Sequence, residues 1–592
     1  MAATPPTPRQ QTAPSVTVEF DVPMRLRDGV TLRANIYRPA GEGTWPVLLT
    51  RLPYGKDLPL GAAILDPVQV ARRGYVVVVQ DTRGRFRSEG EWFAFIHEAD
   101  DGRDAVEWAA GLPGGTGQVG MYGISYFGFT QLAAALKRPE ALKAVMPAQT
   151  WADALDGVLL RGGALELGTT LNWNLVMTLD STFRRYAADP DPRAIGMAVA
   201  RLIRELDALP TTGYGELPVD AFGPLRRVGG EAQLAESITR LGDEEFARRG
   251  SVAHAYDQID VPAYHVGGWY DIFLGGTLRN FAALTARGTA PQKLLIGPWS
   301  HGVFGELIGD EDFGFGASAA LINGQIDFQS LQLLWFDRWL KGAPNGIEQG
   351  APIKIFVMGE NVWRDEWEWP LGRAVLTPYY LRSGGHANTA DGDGTLSPAA
   401  PGAEPADRYL YDPRDPVPTI GGSTLLHAAY RPGPRDQRSI EARPDVLVYT
   451  TPALEGDVEV TGPLSVTLWA ASSAPDTDFV ARLVDVHPDG RAMTLADGIV
   501  RARFRAGVHE PATLIEPGRV YEYHIDLFAT SMLFRAGHRI RLEITGGSFP
   551  RWDRNPQTGG PLWKETELRS ATQTIAHDAA HPSHVVLPIV PR

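Results

Sequence analysis

The segment with the clearest chemical potential is V-G-M-Y-G-I-S-Y-F-G-F-T, residues 119–130, because it places a serine at a sharp turn. An apolar run precedes Ser125, and an apolar segment with helical periodicity, residues 127–136, follows it. A strand that turns directly into a helix lifts a serine hydroxyl clear of the sheet and leaves the next backbone N–H free to bind an oxyanion. Gly123 and Gly128 supply the small neighbours that such a turn needs. Spacing alone favours a helix-capping serine, because the second glycine comes one residue later than in the common pattern.

Two residues with acid–base chemistry follow apolar runs later in the chain. Asp271 ends G-G-W-Y-D, and His301 ends G-P-W-S-H after the next run. Loops at the carboxyl ends of parallel strands face one crevice, so Ser125, Asp271 and His301 would meet there. Histidine can act as general base for a serine, and a buried carboxylate fixes the imidazole tautomer. Taken alone, His301 fits a structural histidine and Asp271 a loop-capping aspartate. Together, in the order Ser, Asp, His, the three predict a catalytic triad.

Such a triad needs hydrogen-bond donors for an oxyanion. The backbone N–H of Tyr126, directly after the serine, is the expected first donor. The second donor usually comes from the loop after the third strand, which here reads R-L-P-Y-G-K and has no H-G-G-G type of motif. The Tyr54 hydroxyl in this loop is a candidate donor, and a packed aromatic residue is an equally good interpretation of Tyr54.

The elements around these residues alternate between strands and helices, as in a doubly wound α/β layer. Continuous apolar runs are typical of buried parallel strands. We assign residues 16–150 and 252–370 to one discontinuous catalytic domain. The strands are predicted at residues 16–20, 31–37, 46–50, 75–79, 119–122, 142–146, 261–266 and 293–296, and the helices at 68–73, 98–110, 127–136 and 328–341.

Two segments depart from this alternation. Residues 151–251 contain helical stretches at 194–209 and 231–247 without a buried-strand run, which predicts a helical cap over the sheet. Residues 371–592 contain many short strands separated by turns, which predicts an all-β jelly-roll domain. We expect this domain to pack against the catalytic layer, and residues 384–407 to form a long surface loop. Its strands are predicted at residues 446–450, 458–461, 464–470, 479–486, 520–527, 539–545 and 585–589.

Composition excludes several classes of function. The 592 residues suggest two to four domains, and a content of 44% hydrophobic and 21% charged residues is ordinary for a soluble protein. The net charge of -14 argues against nucleic acid or an anionic membrane as a partner. The chain has no cysteine, which excludes disulfides and thiolate chemistry, and we expect neither a metal nor an organic cofactor.

The N-terminus and the state of assembly are less constrained. Residues 1–15 are rich in Pro, Thr and Gln and have no apolar core of a signal peptide. We therefore expect a disordered tail and a cytoplasmic protein, with a removed signal as the alternative. The expected partner is a small ester or amide substrate, and homo-oligomer formation stays open.

Several motifs together resemble the cocaine esterase family of α/β hydrolases, which also contains α-amino acid ester hydrolases and X-prolyl dipeptidyl aminopeptidases. The resemblance covers nearly the whole chain from about residue 16, and the glycine at position 128 is this family's own form of the serine turn. The motifs are P-Y-G-K at 53–56, D-T-R-G-R-F-R-S-E-G at 81–90, G-I-S-Y-F-G at 123–128, G-W-Y-D at 268–271, G-P-W-S-H at 297–301 and F-V-M-G-E-N-V-W-R at 356–364.

The resemblance implies a role for each residue already singled out. Ser125 would be the nucleophile, His301 the base and Asp271 its orienting acid. The Tyr54 hydroxyl and the Tyr126 amide would form the oxyanion hole. The resemblance also implies an α/β-hydrolase sheet with a helical cap and a C-terminal jelly roll.

Specificity rests on weaker signals. The resemblance implies that Trp173 and Phe273 line the acyl pocket, although both could be cap or core aromatics without substrate contact. Glu306 and the acidic residues 310–312 could hold a substrate ammonium, but an acidic run in a loop is usually just solvated. A neutral acyl ester is therefore the favoured substrate.

These observations predict a serine hydrolase that cleaves a carboxylic ester, or less readily an amide, through an acyl-enzyme. One alternative is an aminoacyl-specific ester hydrolase or aminopeptidase. Another is a catalytically silent binding protein on the same fold, since fold does not secure function.

Overall fold

The computed structural model describes residues 15–187, 189 and 191–592, without the side chain of Pro192. The predicted disordered tail, residues 1–15, lies outside the described residues except for Ser15. Within the described ranges, no helix combines the length and the apolar character that crossing a membrane requires.

Residues 16–148 alternate between strands and helices, as their apolar patterns predict. The observed strands extend the predicted runs by a few residues, because polar and glycine residues continue the ladder beyond each apolar run. The elements are β1 (Val16–Arg25), β2 (Thr31–Pro39), β3 (Trp45–Leu52), α1 (Leu60–Ala63), α2 (Pro67–Arg72), β4 (Val76–Asp81), α3 (Glu98–Ala110), β5 (Gly115–Ile124), α4 (Tyr126–Ala135) and β6 (Leu142–Ala148).

The cap segment, residues 151–251, is mainly helical. The prediction of one helix over 231–247 is wrong, since the chain breaks at Gly242, where φ is +90°, and restarts with Asp243 accepting a hydrogen bond from the Phe246 N–H at 3.0 Å. The elements are β7 (Leu160–Arg161), β8 (Ala164–Leu165), α5 (Leu167–Tyr186), α6 (Pro192–Ala208), α7 (Gly223–Val228), α8 (Ala232–Thr239) and α9 (Glu244–Arg249). The long helix α5 was not predicted.

The α/β pattern resumes after the cap segment. The predicted helix over 328–341 is confirmed, with Asp327 as its N-cap and Gly342 in the left-handed conformation at its end. The elements are β9 (Ala263–Tyr270), α10 (Leu274–Arg287), β10 (Gln292–Ser300), β11 (Leu307–Ile308), β12 (Glu311–Asp312), α11 (Phe328–Lys341), β13 (Ile353–Val357) and β14 (Val362–Glu366).

Ten strands of the described chain form one mixed sheet in the order β1-β2-β4-β3-β5-β6-β9-β10-β13-β14. The strands from β4 to β13 are parallel, and β1, β2 and β14 are antiparallel edges. Helices α3, α4 and α10 cover one face, and α2 and α11 cover the other. This is the predicted doubly wound α/β layer, and it brings the carboxyl ends of β5, β9 and β10 to one edge.

The C-terminal β domain, residues 371–592, is built from strands that pair antiparallel except for β16 with β18. Its elements are β15 (Val375–Arg382), β16 (Thr395–Ser397), β17 (Asp407–Tyr411), α12 (Arg438–Glu441), β18 (Val446–Thr450), β19 (Val458–Ser472), β20 (Asp478–Val486), β21 (Ala492–Arg501), β22 (Tyr521–Phe534), β23 (Arg539–Thr545), β24 (Ala571–Ala576) and β25 (His584–Val590). Side chains from β19, β22, β20 and β23 share one apolar core, as a sandwich requires.

Three details of the β domain differ from the prediction. The expected loop 384–407 contains strand β16, whose Leu396 is buried. The runs 458–461 and 464–470 are one strand, β19, which carries a register shift after Pro463 instead of ending there. Strands β15, β17, β21 and β24 were missed, although the residues of β21 are buried throughout.

The β domain packs on the edge of the α/β sheet. The Tyr270 hydroxyl donates to the Thr494 carbonyl at 3.3 Å, and the Met358 N–H donates to the Ser531 carbonyl at 2.9 Å. Trp269 and Phe356 belong to the same apolar core as the β-domain strands. The β domain therefore packs against the part of the sheet that carries β9 and β10.

Candidate active site

Ser125 lies at the turn between β5 and α4. Its φ of 58° and ψ of -123° are strained for a residue with a side chain and match the geometry of a nucleophile elbow. A Cβ added at Gly123 would lie 2.2 Å from the Phe127 ring, and one at Gly128 would lie 2.8 Å from the Ala148 carbonyl oxygen, so both positions require glycine. The Ser125 side chain makes no capping hydrogen bond to the described helix α4, and the helix-cap interpretation is wrong.

Asp271 and His301 meet beyond the ends of β9 and β10. The His301 ring nitrogen Nδ1 lies 2.7 Å from Asp271 Oδ1. Asp271 is fully buried, whereas the His301 side chain keeps 9% of its surface exposed. The Phe273 ring stands edge-on to His301 with centroids 5.2 Å apart, and it lines the same cavity as Ser125. The structure therefore places the predicted acid–base pair next to the cavity into which Ser125 opens.

Gln149, which sequence reasoning missed, holds the backbone on both sides of His301. Its amide N–H donates to the Ser300 carbonyl at 3.0 Å, and its amide oxygen accepts from the Gly302 N–H at 2.8 Å. Gln149 is fully buried and has a φ of +41° at the end of β6. A strained, buried residue at this edge is typical of a functional site. Its position directly after a buried strand was the available signal in the sequence.

Tyr54 faces Ser125 from the loop after β3. Its hydroxyl accepts a hydrogen bond from the Trp173 indole N–H at 3.2 Å. Burial raises the pKa of Tyr54, while hydrogen bonds with Trp173 and Ser125 act in the opposite direction. A phenol with a raised pKa stays protonated at neutral pH, so the Tyr54 hydroxyl can donate to an oxygen beside Ser125.

Tyr126 is anchored through its own hydroxyl. That hydroxyl donates to Glu98 Oε1 at 2.8 Å and accepts from the Phe95 N–H at 3.0 Å. The other Glu98 oxygen binds Arg51 Nη1 at 2.9 Å, and burial raises the pKa of Glu98 against the effect of Arg51. This buried network, which sequence reasoning also missed, fixes the residue whose backbone N–H follows Ser125.

Asp81 supports the loop that carries Tyr54. It is fully buried, and its Oδ1 accepts the Lys56 backbone N–H at 2.7 Å. Burial raises the pKa of Asp81 from 3.8 to about 7, although the Lys56 N–H acts to lower it. Asp81, the first residue of the D-T-R-G motif, thus holds the backbone of the loop that carries Tyr54.

The raised pKa of Asp81 predicts how stability depends on pH. Between about pH 4 and 7 the folded chain holds a proton that the unfolded chain releases, so the free energy of unfolding falls as the pH rises through this window. Asp81→Asn keeps an acceptor for Lys56 and removes the titration. We expect urea unfolding at pH 5 and 8 to show a smaller loss of stability in the variant, with about 1.4 kcal/mol for each unit of pKa shift. An equal fall in the free energy of unfolding from pH 5 to pH 8 in both proteins would contradict the raised pKa of Asp81.

The cavity beside Ser125 has a volume of about 120 Å³ and mostly apolar walls. Helices α5, α8 and α9 of the cap segment supply much of the wall, which includes Trp173 as predicted. Trp173 stacks on Phe95 with centroids 5.9 Å apart. Among the described residues that line it there is no carboxylate, and the charged one, Arg240, is paired with Asp243 at 2.6 Å.

The acidic loop after His301 does not reach this cavity. Asp310 binds Arg435 at 3.0 Å, and Glu311 binds Arg491 at 3.1 Å, both in the β domain. None of Glu306 and residues 310–312 belongs to the described lining. Asp310 and Glu311 therefore already have ionic partners within the chain itself.

Comparisons with known proteins agree with this architecture. The family model described as X-Pro dipeptidyl-peptidase (S15 family) matches residues 28–303, and the model of the X-Pro dipeptidyl-peptidase C-terminal non-catalytic domain matches residues 345–586. The cocaine esterase of Rhodococcus sp. (strain MB1 Bresler) is 39% identical over 97% of this chain and 99% of its own length.

Solved structures share the fold over the whole chain. An α-amino acid ester hydrolase superposes with a TM-score of 0.80 at 23% identity, covering 99% of this chain and 100% of its own. An aminopeptidase from a marine sediment Thaumarchaeota archaeon gives 0.79 at 24% identity, covering 100% and 99%. The predicted fold class, an α/β hydrolase with a cap insertion and a C-terminal β domain, is confirmed. The chain belongs to the S15 family of hydrolases, together with the cocaine esterase that it resembles in sequence.

Proposed function

We propose that this protein is a serine esterase that cleaves carboxylic esters of neutral, mainly apolar acyl groups through an acyl-enzyme on Ser125. The observation that carries the proposal is a strained serine at the mouth of an apolar cavity whose described lining has no carboxylate. The Asp271–His301 pair beside that cavity supplies the base. The 39% identity to a cocaine esterase supports ester hydrolysis as the reaction.

Acylation follows from the orientation of the imidazole. Because Nδ1 of His301 faces Asp271, the other ring nitrogen is free to accept the Ser125 proton as the hydroxyl attacks the ester carbonyl. The carbonyl oxygen becomes an oxyanion, toward which the Tyr54 hydroxyl and the Tyr126 N–H donate. His301 then returns the proton to the departing alkoxide, which leaves as the alcohol.

Deacylation repeats the same steps with water. His301 removes a proton from water as the water oxygen attacks the acyl carbonyl, and then protonates Ser125 as the carboxylic acid leaves. Burial of Asp271 keeps water away from the carboxylate that stabilises the imidazolium in both steps.

The cavity favours a neutral acyl group over an aminoacyl group. A buried ammonium needs a carboxylate or several acceptors, because desolvation of an unpaired charge is costly. The described wall offers no carboxylate, and residues 310 and 311 are paired with arginines. The activities named for the aminopeptidase and the α-amino acid ester hydrolase are therefore not proposed for this chain.

A matched pair of substrates tests the proposal. Hydrolysis of p-nitrophenyl butyrate is compared with that of the p-nitrophenyl ester of unblocked alanine at equal concentration. We expect the butyrate to be cleaved with a kcat/KM at least tenfold higher, because its acyl group buries no charge. A preference for the alanyl ester would contradict the neutral acyl group while leaving a serine hydrolase.

Covalent labelling separates the enzyme from a silent binding protein. A fluorophosphonate should label the wild-type chain at a single serine, and peptide mapping should find the label on Ser125. Labelling elsewhere, or none together with no hydrolysis of either ester, would contradict the proposed function itself.

Removal of the Tyr54 hydroxyl is expected to slow the chemical step more than it weakens substrate binding. Tyr54→Phe removes a donor that acts on charge developed in the transition state, so kcat should fall about 10²- to 10³-fold with little change in KM. Tyr122→Phe is the matched control, because the buried Tyr122 hydroxyl has no hydrogen-bond partner in the described structure. Steady-state kinetics of both variants decide the point. Equal activity of the two would assign Tyr54 a packing role only.

A further inference from the structure

A cluster of two histidines and one aspartate lies in the β domain, outside the site described above. It consists of Asp485, His487 and His538, whose ligating atoms all lie within 4.8 Å of one another. His538 Nδ1 is 2.9 Å from Asp485 Oδ1, and His487 Nε2 is 3.4 Å from Asp485 Oδ2. The two imidazole rings have centroids 4.5 Å apart. A single carboxylate therefore faces two imidazoles at once.

Regular β structure positions these three side chains. Asp485 lies near the end of β20, and His487 follows directly after the last residue of that strand, at the start of a turn. His538 directly precedes β23, whose Ile540 is paired in register with Asp485. The backbones of His487 and His538 are each held in turns, through bonds with Arg491 and Arg535 respectively. The cluster is thus preorganised by its backbone.

We propose that this cluster binds a divalent transition-metal ion of the Zn²⁺ type. Two neutral imidazoles and one carboxylate are a common ligand set for zinc, with a water molecule completing a tetrahedral site. A tetrahedral ion about 2.1 Å from each ligand requires ligand atoms about 3.4 Å apart, and the single oxygen Asp485 Oδ2 lies 3.0 Å from His538 Nδ1 and 3.4 Å from His487 Nε2. Asp485 is 1% exposed and the histidine side chains are 19% and 15% exposed, so an ion can enter from one side.

No pattern in the sequence indicates this cluster, and for that reason no metal was expected from the sequence. Asp485 and His487 are two residues apart in the sequence, but His538 comes from a distant turn that only the pairing of β20 with β23 brings near. Asp489 and Glu311 lie around the same turn, where both bind Arg491. Thiolates play no part, because the chain has no cysteine.

Arg491 is the competitor that the structure itself supplies. Its guanidinium donates to His487 Nδ1 at 3.2 Å while also binding Asp489 at 2.9 Å and Glu311 at 3.1 Å. A metal on His487 Nε2 requires a proton on Nδ1, which removes the acceptor that Arg491 uses and leaves two N–H donors facing each other. Metal binding must therefore displace Arg491 from His487. It follows that removing this arginine should strengthen the site.

Titration of the full-length protein with ZnCl₂ tests the proposal. We expect calorimetry at pH 7.5, after dialysis against a chelator, to show one equivalent bound. Affinity should fall at least tenfold in His487→Gln and in His538→Gln. It should rise several-fold in Arg491→Gln. His509→Gln is the matched control, because His509 contacts Asp153 at 2.9 Å in a pair without a second histidine, and its affinity should match wild type.

Three outcomes would overturn the proposal. Wild-type protein that binds no equivalent of zinc excludes the site. Binding that survives both histidine substitutions but is lost in His301→Gln places the ion at the Asp271–His301 pair instead. An unchanged affinity in Arg491→Gln contradicts the competition, and this surface variant keeps the test decisive even where a histidine variant does not fold.

Discussion

Replacement of Ser125 by alanine is expected to lower kcat/KM for p-nitrophenyl butyrate by about 10⁴-fold or more. The variant retains the apolar cavity and both proposed oxyanion donors, so it should still bind the ester. It has no atom that can form the acyl bond, and water would have to attack from a position that the elbow does not prepare. The loss should therefore appear almost entirely in kcat.

The measurement needs a control that alters the same cavity without touching the nucleophile. Ser237→Ala removes another hydroxyl from the cavity wall, one that donates to the Gln233 carbonyl at 3.0 Å within helix α8. Its activity should stay within a few-fold of wild type. Ser125→Ala should also lose fluorophosphonate labelling, whereas Ser237→Ala should keep it. A Ser125→Ala protein that retains a tenth of the wild-type rate would contradict the proposed mechanism.

The predicted nucleophile, base and acid were accessible from sequence because each has a local signal. Ser125 stands between an apolar strand and an apolar helix with glycines where the turn is tight. Asp271 and His301 each come directly after a buried strand, and parallel strands place such loops at one edge. Local pattern and one topological rule were therefore sufficient to bring these residues into a single hypothesis.

Supporting residues have no comparable signal. Glu98 begins helix α3 like many acidic residues at helix N-termini, and only the folded chain brings it to the Tyr126 hydroxyl. Gln149 acts on a loop that lies 151 residues further along the chain. The acid–histidine cluster of the β domain depends on the pairing of β20 with β23. Contacts between segments distant in sequence follow from tertiary packing, which a periodic pattern cannot supply.

Apart from the predicted site residues, which include Trp173 and Phe273, the lining of the cavity was not predicted from the sequence. Its walls come from the loop carrying Tyr54, the turn at Ser125 and three cap helices, and one of these helices, α5, was not predicted. The acidic loop is close to His301 in sequence, but its pairing with Arg435 and Arg491 agrees with the favoured expectation that it does not bind a substrate ammonium. Substrate preference depends on which side chains face the cavity, and the sequence pattern does not determine this.

Asp271→Asn is expected to lower kcat by about 10⁴-fold while the fold is retained. The side chains are nearly the same size, but asparagine can present an N–H to Nδ1 of His301. The imidazole would then carry its proton on the nitrogen that must accept from Ser125, which is the wrong tautomer for a general base. Loss of the buried negative charge also removes the stabilisation of the imidazolium.

A second Asp–His pair of the same chain provides the control for this substitution. Asp578 lies 3.1 Å from His581 in the β domain, and Asp578→Asn should leave ester hydrolysis unchanged. Asp271→Asn should keep the wild-type circular dichroism spectrum, so that its lost activity can be assigned to the tautomer. A loss of less than tenfold would mean that Asp271 is not the orienting acid. If Asp271→Asn loses nearly all ester hydrolysis and Asp578→Asn keeps it, the action of His301 as a base depends on its 2.7 Å contact with Asp271.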